Sequence, residues 1–245
     1  MSAVSAVKRA VRRPLDAALG PSLGSVVRVR GGGRRVVVTF DDGPLPGVTE
    51  QLVEVLTAHQ MTATFFMLLT RARKAPSLVR EVAAAGHEVA LHGLDHRRMT
   101  TLPAAEATEW LKRGHNELQE ILGQPVRWFR PPHGAQSVAN RIAAGRLGLA
   151  PVLWSGTTWD WKDVSHEQRV AKAMRDAVPG AILLAHDGAA DASDGAVDLP
   201  VTGVDKPRLL EEVLSGLESR GLGGCSYGAA LAAGAVPVRR LSFAR

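Results

Sequence analysis

The sequence predicts a single-domain α/β fold built on a parallel sheet or barrel, and three observations carry that expectation. Short apolar runs alternate with helical patterns about seven times along the chain, the order in which β/α units are written. The runs are continuous rather than alternating, as befits strands covered on both faces. Ionisable residues gather just beyond these runs and are nearly absent from them, and in α/β barrels the loops after the strands build the site. A length of 245 residues suits one such domain, and 45% hydrophobic residues supply a core large enough to exclude global disorder.

Val36–Phe40 is the first strand, a short β-branched run after the flexible Gly31-Gly32-Gly33. Val48–Gln60 follows with helical spacing at Leu52, Val55 and Leu56, then Thr64–Leu69 as a strand. Pro76-Ser77 opens a helix that Gly86 closes, with Ser77 as its N-cap. Glu88–Leu91 is a strand, and Pro103–Leu122 is the longest helix, ended by Gly123. The alternation continues with Trp128–Arg130, the helix Ser137–Leu147 and the strand Ala150–Trp154. His166–Val178 is a helix behind Ser165, Ala181–Leu184 a strand, Pro207–Arg220 a helix and Gly223–Tyr227 the last strand. Residues 186–204, rich in Asp, Gly and Ala, form a long loop, and no internal repeat or interdomain linker interrupts the series.

The formal net charge is +6, but it is unevenly spread. Residues 1–35 carry Lys8, Arg9, Arg12, Arg13, Arg28, Arg30, Arg34 and Arg35 against Asp16, a net of +7, so the remaining 210 residues sum to −1. The body is not basic, and no aromatic stacking surface is evident, which excludes a nucleic-acid binder. Residues 1–33 are expected to be a basic extension, either solvated or in peripheral contact with an anionic membrane through residues 1–35. Arg12-Arg13 is not followed by an apolar run and no stretch is long enough to span a bilayer, so a cytoplasmic or membrane-peripheral location is expected. Cys225 is the sole cysteine, which excludes an intrachain disulfide and a cysteine metal cluster.

Five strand ends carry the chemistry. Asp41 and Asp42 follow the first strand; His92 and His96 follow Glu88–Leu91; Arg130 ends its own strand; Asp160 lies beyond Ala150–Trp154; His186 follows Ala181–Leu184. Two adjacent carboxylates after a buried strand repel each other unless a cation is present. Two histidines and one carboxylate leave open positions on a metal, which describes a hydrolytic site. The second carboxylate can take a proton from water and a further histidine can give one to a leaving nitrogen, which amide hydrolysis requires. Read alone, Asp41-Asp42-Gly43-Pro44 is also a good turn, and His92-x-x-x-His96 lacks the zinc-protease glutamate. His59, His87, His115 and His166 sit within or beside helices and strands and are read as structural, as are Met67 and Trp110.

In these segments the chain resembles the NodB-type polysaccharide deacetylases, carbohydrate esterase family four, over roughly residues 34–232. Thr39-Phe40-Asp41-Asp42-Gly43-Pro44, His92-Gly93-Leu94-Asp95-His96, Arg130-Pro131-Pro132-His133-Gly134, Asp160-Trp161 and Leu184-Ala185-His186 match the five family motifs in order. The resemblance implies a distorted (β/α)7-8 barrel over residues 34–232, with 233–245 as a C-terminal tail. It implies a divalent metal held by Asp42, His92 and His96, usually zinc, with cobalt, manganese or nickel as alternatives. It further implies Asp41 as general base, His186 as general acid, Arg130 orienting Asp41 and Asp160 orienting His186. The backbone N–H of His133 would help hold the oxyanion, and Trp161 and Leu184 would wall the acyl pocket.

Three positions depart from the family pattern: Gly93 replaces a usual Ser or Thr, His133 a usual Tyr, and Thr157 a common Asp. The first is expected to remove a hydrogen bond that braces the loop, and none removes a ligand, base or acid. The expected activity is metal-dependent N-deacetylation of an amino sugar in an oligosaccharide, polysaccharide or glycoconjugate. Alternatives are a deformylase or deacylase of a small lipid-linked, nucleotide-linked or antibiotic amino sugar, and a non-catalytic carbohydrate-binding module on the same fold.

Overall fold

The computed structural model describes residues 19–20, 22–197 and 203–243. Its sheet grows from β2 (Arg35–Asp41), whose β-branched residues are covered on both faces. To one side of β2 lie β3 (Thr64–Leu68), β4 (Glu88–Gly93), β5 (Trp128–Phe129) and β6 (Ala150–Pro151); to the other lie β8 (Ile182–His186) and β7 (Gly156–Thr157). A short β9 (Gly223–Cys225) also pairs with β2, and every pairing in this eight-stranded sheet is parallel. Parallel neighbours require crossovers. These are supplied by α1 (Thr49–Ala58), α2 (Leu69–Ala72), α3 (Pro76–Ala84), α4 (Ala104–Leu122), α5 (Val138–Arg146), α6 (His166–Asp176) and α7 (Lys206–Ser219). The sheet curls into a half-barrel with helices packed outside it.

Period two decides which side chains face the helices and which face the hollow. On β2, Val36, Val38 and Phe40 join the core shared with the helices, whereas Val37 joins the inner cluster. On β3, Phe65 and Met67 face out and Phe66 in; on β4, Val89 and Leu91 face out and Ala90 in; on β8, Leu183 faces out and Ile182 in. Continuing the inward phase past the apolar run reaches Asp41, His92 and His186. The alternation that builds the core therefore delivers these three residues to the concave side.

Several elements differ from the sequence expectation. Ser77 does not cap α3, which begins at Pro76 behind Ala75 without a side-chain cap bond; proline at the first position needs no N–H partner. The strand expected over Ala150–Trp154 shortens to Ala150–Pro151, because the Leu153 N–H turns aside to the Val26 carbonyl at 2.7 Å. Tyr227 starts α8 (Tyr227–Ala232) instead of ending a strand, since the Ser226 side chain accepts from the Ala229 N–H.

The folded unit also reaches beyond the barrel bounds of 34 and 232. Within the expected basic extension, Ser25–Arg30 forms β1, antiparallel to β10 (Val236–Arg240) from the expected tail. Bridges from Val26 to Val152 and from Arg28 to Ala181 lay this ribbon along the gap between β6 and β8. Val26 is fully buried and Val29 nearly so. The Val-Arg-Val-Arg run is a one-sided strand as well as a charge cluster. Residues 1–18, which carry the rest of the extension's charge, lie outside the described residues. Among those described, no helix is long and apolar enough to cross a membrane.

Candidate active site

The carboxyl ends of β2, β4 and β8 open into a cleft of about 390 Å³, lined among others by Asp41, Asp42, His92, His96, His133, Asp160, Trp161, Leu184, His186 and Lys206. All ten residues expected at the site are brought together there: nine line it, and Arg130 lies beneath it, fully buried.

Asp41 keeps the inward phase of β2, while Asp42 breaks it with a left-handed φ of 73° that turns its carboxylate sideways. Asp42 Oδ1 lies 3.3 Å from both His92 Nε2 and His96 Nε2 and accepts no hydrogen bond among the described residues. The three residues bring one ligand atom each within 4.8 Å of one another. A divalent ion with bonds of about 2.0–2.2 Å separates tetrahedral ligand atoms by about 3.3–3.6 Å, so the spacing suits such an ion. The tautomers suit it as well. His92 Nδ1 donates to the Arg130 carbonyl at 2.9 Å, which leaves Nε2 with its lone pair toward Asp42. Burial pulls His96 down to about 4 against the attraction of Asp42, so its ring is neutral near pH 7. Burial opposes ionisation of Asp42, but His92, His186 and His96 together hold it well below the carboxylate range.

Arg130 anchors Asp41. Its guanidinium donates to Asp41 Oδ1 at 2.6 Å, to Thr39 Oγ1 at 2.9 Å, and to the carbonyls of Val152 and Leu153 at 2.9 and 3.1 Å. The Phe66 ring lies 4.1 Å below it. A buried cation satisfied on this scale fixes Asp41 in one orientation and keeps a negative partner beside it.

Asp160 does the same for His186. One of its oxygens meets His186 Nδ1 at 2.9 Å, and the other accepts the His186 backbone N–H at 2.8 Å. Burial alone lowers the affinity of the imidazole for its proton, yet the Asp160 carboxylate, with Asp42 and Asp41 behind it, raises His186 to about 9. Burial likewise works against the Asp160 charge, and His186 and Lys206 hold that carboxyl far below its ordinary value. The Trp161 ring packs edge-on against His186 at 5.2 Å and is 39% exposed, so it is a wall that a ligand can still touch. Leu184 is buried, and His133, at a φ of 58°, sets its ring 4.4 Å from that of His96.

The loop brace expected to be missing at Gly93 comes from elsewhere. A Cβ at Gly93, where φ is 141°, would overlap the Trp110 ring, and Trp110 Nε1 donates to Asp95 Oδ1 at 3.1 Å. Asp95 in turn accepts from the Arg97 N–H at 3.0 Å. Trp110, read as a core residue, thus fills the space of the missing side chain and ties down the His96 loop.

Sequence reasoning missed Lys206, whose ammonium donates to the carbonyls of His186 and Gly188 at 2.8 and 3.1 Å and lies 3.5 Å from Asp160. A cation on the first residue of a helix opposes the helix dipole, and that mismatch was the available signal. Asp187 was missed too. It is fully buried, accepts from Thr49 Oγ1 at 2.7 Å and is pushed up to about 6 by burial. The four histidines read as structural find other neighbours: His59 bonds to Glu211 and Glu218, His87 accepts from the Ala63 N–H, His115 donates to the Val126 carbonyl, and His166 lies 3.1 Å from a Glu212 carboxylate oxygen.

Residues 28–152 match the profile of the polysaccharide deacetylases. The chitooligosaccharide deacetylase of Azorhizobium caulinodans is 32% identical over 200 residues, which cover 81% of this chain and 95% of that protein. The peptidoglycan-N-acetylglucosamine deacetylase PgdA of Listeria monocytogenes is 33% identical over 154 residues, 63% of this chain and 32% of its own. Among solved structures, a family 4 carbohydrate esterase from Streptomyces lividans in complex with acetate superposes with a TM-score of 0.69 at 26% identity, covering 86% of this chain and 99% of the other.

Proposed function

Since this chain belongs to the polysaccharide deacetylase family, we propose that it is a metal-dependent hydrolase that removes N-acetyl groups from a short N-acetylglucosamine oligosaccharide. The observation that carries the reading is the pairing of an Asp42–His92–His96 cluster with an Asp160-held His186 in one cleft. The choice of an oligosaccharide rests on the chitooligosaccharide deacetylase relative, which this chain matches along 95% of its length, against 32% for the peptidoglycan enzyme.

Asp42, His92 and His96 would hold the ion, and their nitrogen and oxygen donors favour zinc. When bound, it supplies Lewis acidity to the amide carbonyl and eases the ionisation of water. Asp41, locked by Arg130, removes a proton from the attacking water as its oxygen bonds to the acyl carbon. His186 then gives its Nε2 proton to the amide nitrogen as the C–N bond breaks, leaving acetate and a free amine. Nδ1 stays on Asp160, so Nε2 is the nitrogen aimed at substrate. The His133 N–H assists the developing negative oxygen, while Trp161 and Leu184 enclose the acyl methyl.

The test is release of acetate, with matching amine, from chitooligosaccharides, polymeric chitin and peptidoglycan by the zinc-loaded protein. Asp41→Asn and His186→Ala are expected to lose about 100- to 10,000-fold in turnover while retaining zinc. Loss of zinc from Asp41→Asn would reverse the roles of the two aspartates. No acetate from any of the three substrates would refute the deacetylase reading.

A further inference from the structure

The long loop between β8 and α7 is fastened to the site by a buried ion pair that takes no part in the chemistry above. Asp194 is 1% exposed. Its Oδ1 accepts from Thr70 Oγ1 at 2.7 Å, and its Oδ2 from Arg71 Nε at 2.8 Å, with Arg71 Nη2 at 2.7 Å. Arg71 Nη2 also donates to the Ala189 carbonyl at 2.6 Å. Thr70 and Arg71 stand on α2, directly after β3, so the pair joins the β3 and β8 ends of the barrel.

Both halves of the metal triad hang on this fastening. The carbonyl of Asp194 accepts the His96 N–H at 2.6 Å, and the Ala190 N–H, next to Ala189, reaches Asp42 Oδ2 at 3.3 Å. A ligating histidine is ordinarily oriented by an acceptor on its second ring nitrogen. His92 has one in the Arg130 carbonyl, whereas His96 Nδ1 has no hydrogen-bond partner among the described residues. His96 also stands beyond the end of β4, without ladder bonds to hold its backbone. Its position therefore depends on the backbone bond to Asp194 and on ring packing against His92 and His133.

Resting on the metal-triad reading, we propose that Arg71 and Asp194 are positioning residues that set the affinity of the site for its divalent ion by fixing His96. A carboxylate buried to this degree carries a heavy desolvation cost and persists only when fully bonded. Here its bonds converge on the loop segments that hold His96, which lacks a side-chain brace among the described residues. Thr70 is the third member, and its hydroxyl completes the shell of Asp194.

The test is competition for zinc between a chromophoric chelator and the purified metal-free protein, for the parent, Arg71→Met, Asp194→Asn and Thr70→Val. Weakening of about 10- to 100-fold is expected for Arg71→Met and Asp194→Asn, and a smaller loss for Thr70→Val. With cobalt as probe, the visible ligand-field spectrum is expected to change in the first two variants. Saturating zinc is expected to restore their turnover, which a general loss of packing would not allow. Should Arg71→Met fail to fold, the near-isosteric Asp194→Asn decides alone. Zinc affinity within twofold of the parent in a folded Asp194→Asn protein overturns the proposal and leaves the triad standing. A parent chain that takes up no zinc overturns both.

Discussion

Replacing Asp160 by Asn separates the two opposing influences on His186. In the folded chain the imidazole is raised from an ordinary 6.5 to about 9, although its burial acts in the opposite direction. At about 1.36 kcal/mol per pH unit, that displacement amounts to roughly 3 kcal/mol of preference for the imidazolium. The depressed carboxyl of Asp160 reflects the same ion pair and is not a second contribution. Asn preserves the size of the side chain and removes its charge, so burial is left dominant. His186 is then expected to titrate at or below 6.5, a fall of at least two pH units. The assay is an NMR titration of the His186 ring in metal-free protein. Stability changes with it. Because the folded pKa lies above the unfolded one, the contribution is fully present below about pH 6.5 and is lost as pH rises through about 9. Urea unfolding of the metal-free parent should therefore weaken by up to roughly 3 kcal/mol across that window, while Asp160→Asn stays nearly flat. If His186 is the acid proposed above, turnover by the variant should fall about 100-fold or more, since His186 has lost both its charge partner and its tautomer control. A parent His186 that titrates at or below 6.5, or a variant that titrates with the parent, would refute the reasoning.

Elemental analysis of His96→Ala should show zinc falling well below one equivalent, and stoichiometric metal in that variant would remove His96 from the ligand set. Arg130→Met leaves Asp41 buried beside an apolar group and should cost about 3–5 kcal/mol in urea unfolding; a loss under about 1 kcal/mol would mean that Asp41 is otherwise solvated. Gly93→Ser combines an unfavourable φ of 141° with overlap on Trp110, so about 2–4 kcal/mol of destabilisation is expected. Thermal melting at the parental temperature would show that the ring swings aside freely.

Much of the fold was legible because the barrel is local: strand, helix and next strand follow in sequence, and their periods differ. The site was legible for the same reason. Asp41 and His186 end their strands, His92 stands one residue before the end of β4 and Arg130 follows β5, all on the inward phase of the apolar residues before them. Phase alone missed Asp42, whose left-handed backbone leaves the alternation, though its place after the first strand marked it. The contacts that crossed the chain were not legible. Asp194 lies 123 positions from Arg71 in a loop that reads as small and polar, and nothing local marks it as the partner of a buried arginine. Trp110 likewise looked like one more apolar residue of α4, because its bond to Asp95 depends on how that helix meets β4.

The pairing of β1 with β10 bears on the order in which the molecule assembles. Arg30 meets Val236 about 200 residues later, so among the described residues this pairing closes one of the longest loops, and its entropy is expected to be met last. During synthesis from the amino end, β2, β3 and β4 can associate while β1 still has no partner. Until residues 236–240 have emerged, Val26 and Val29 lack the strand that holds them over the gap. The Leu153 N–H, which donates to Val26, and the Gly180 carbonyl, which accepts from Val29, stay open to water over the same interval, beside the edge strand β6 and ahead of β8. Open edges of that kind are where partly folded chains recruit each other. The ribbon is thus a late clasp, and its cross-strand amides are the ones expected to gain protection from hydrogen exchange after the rest of the sheet.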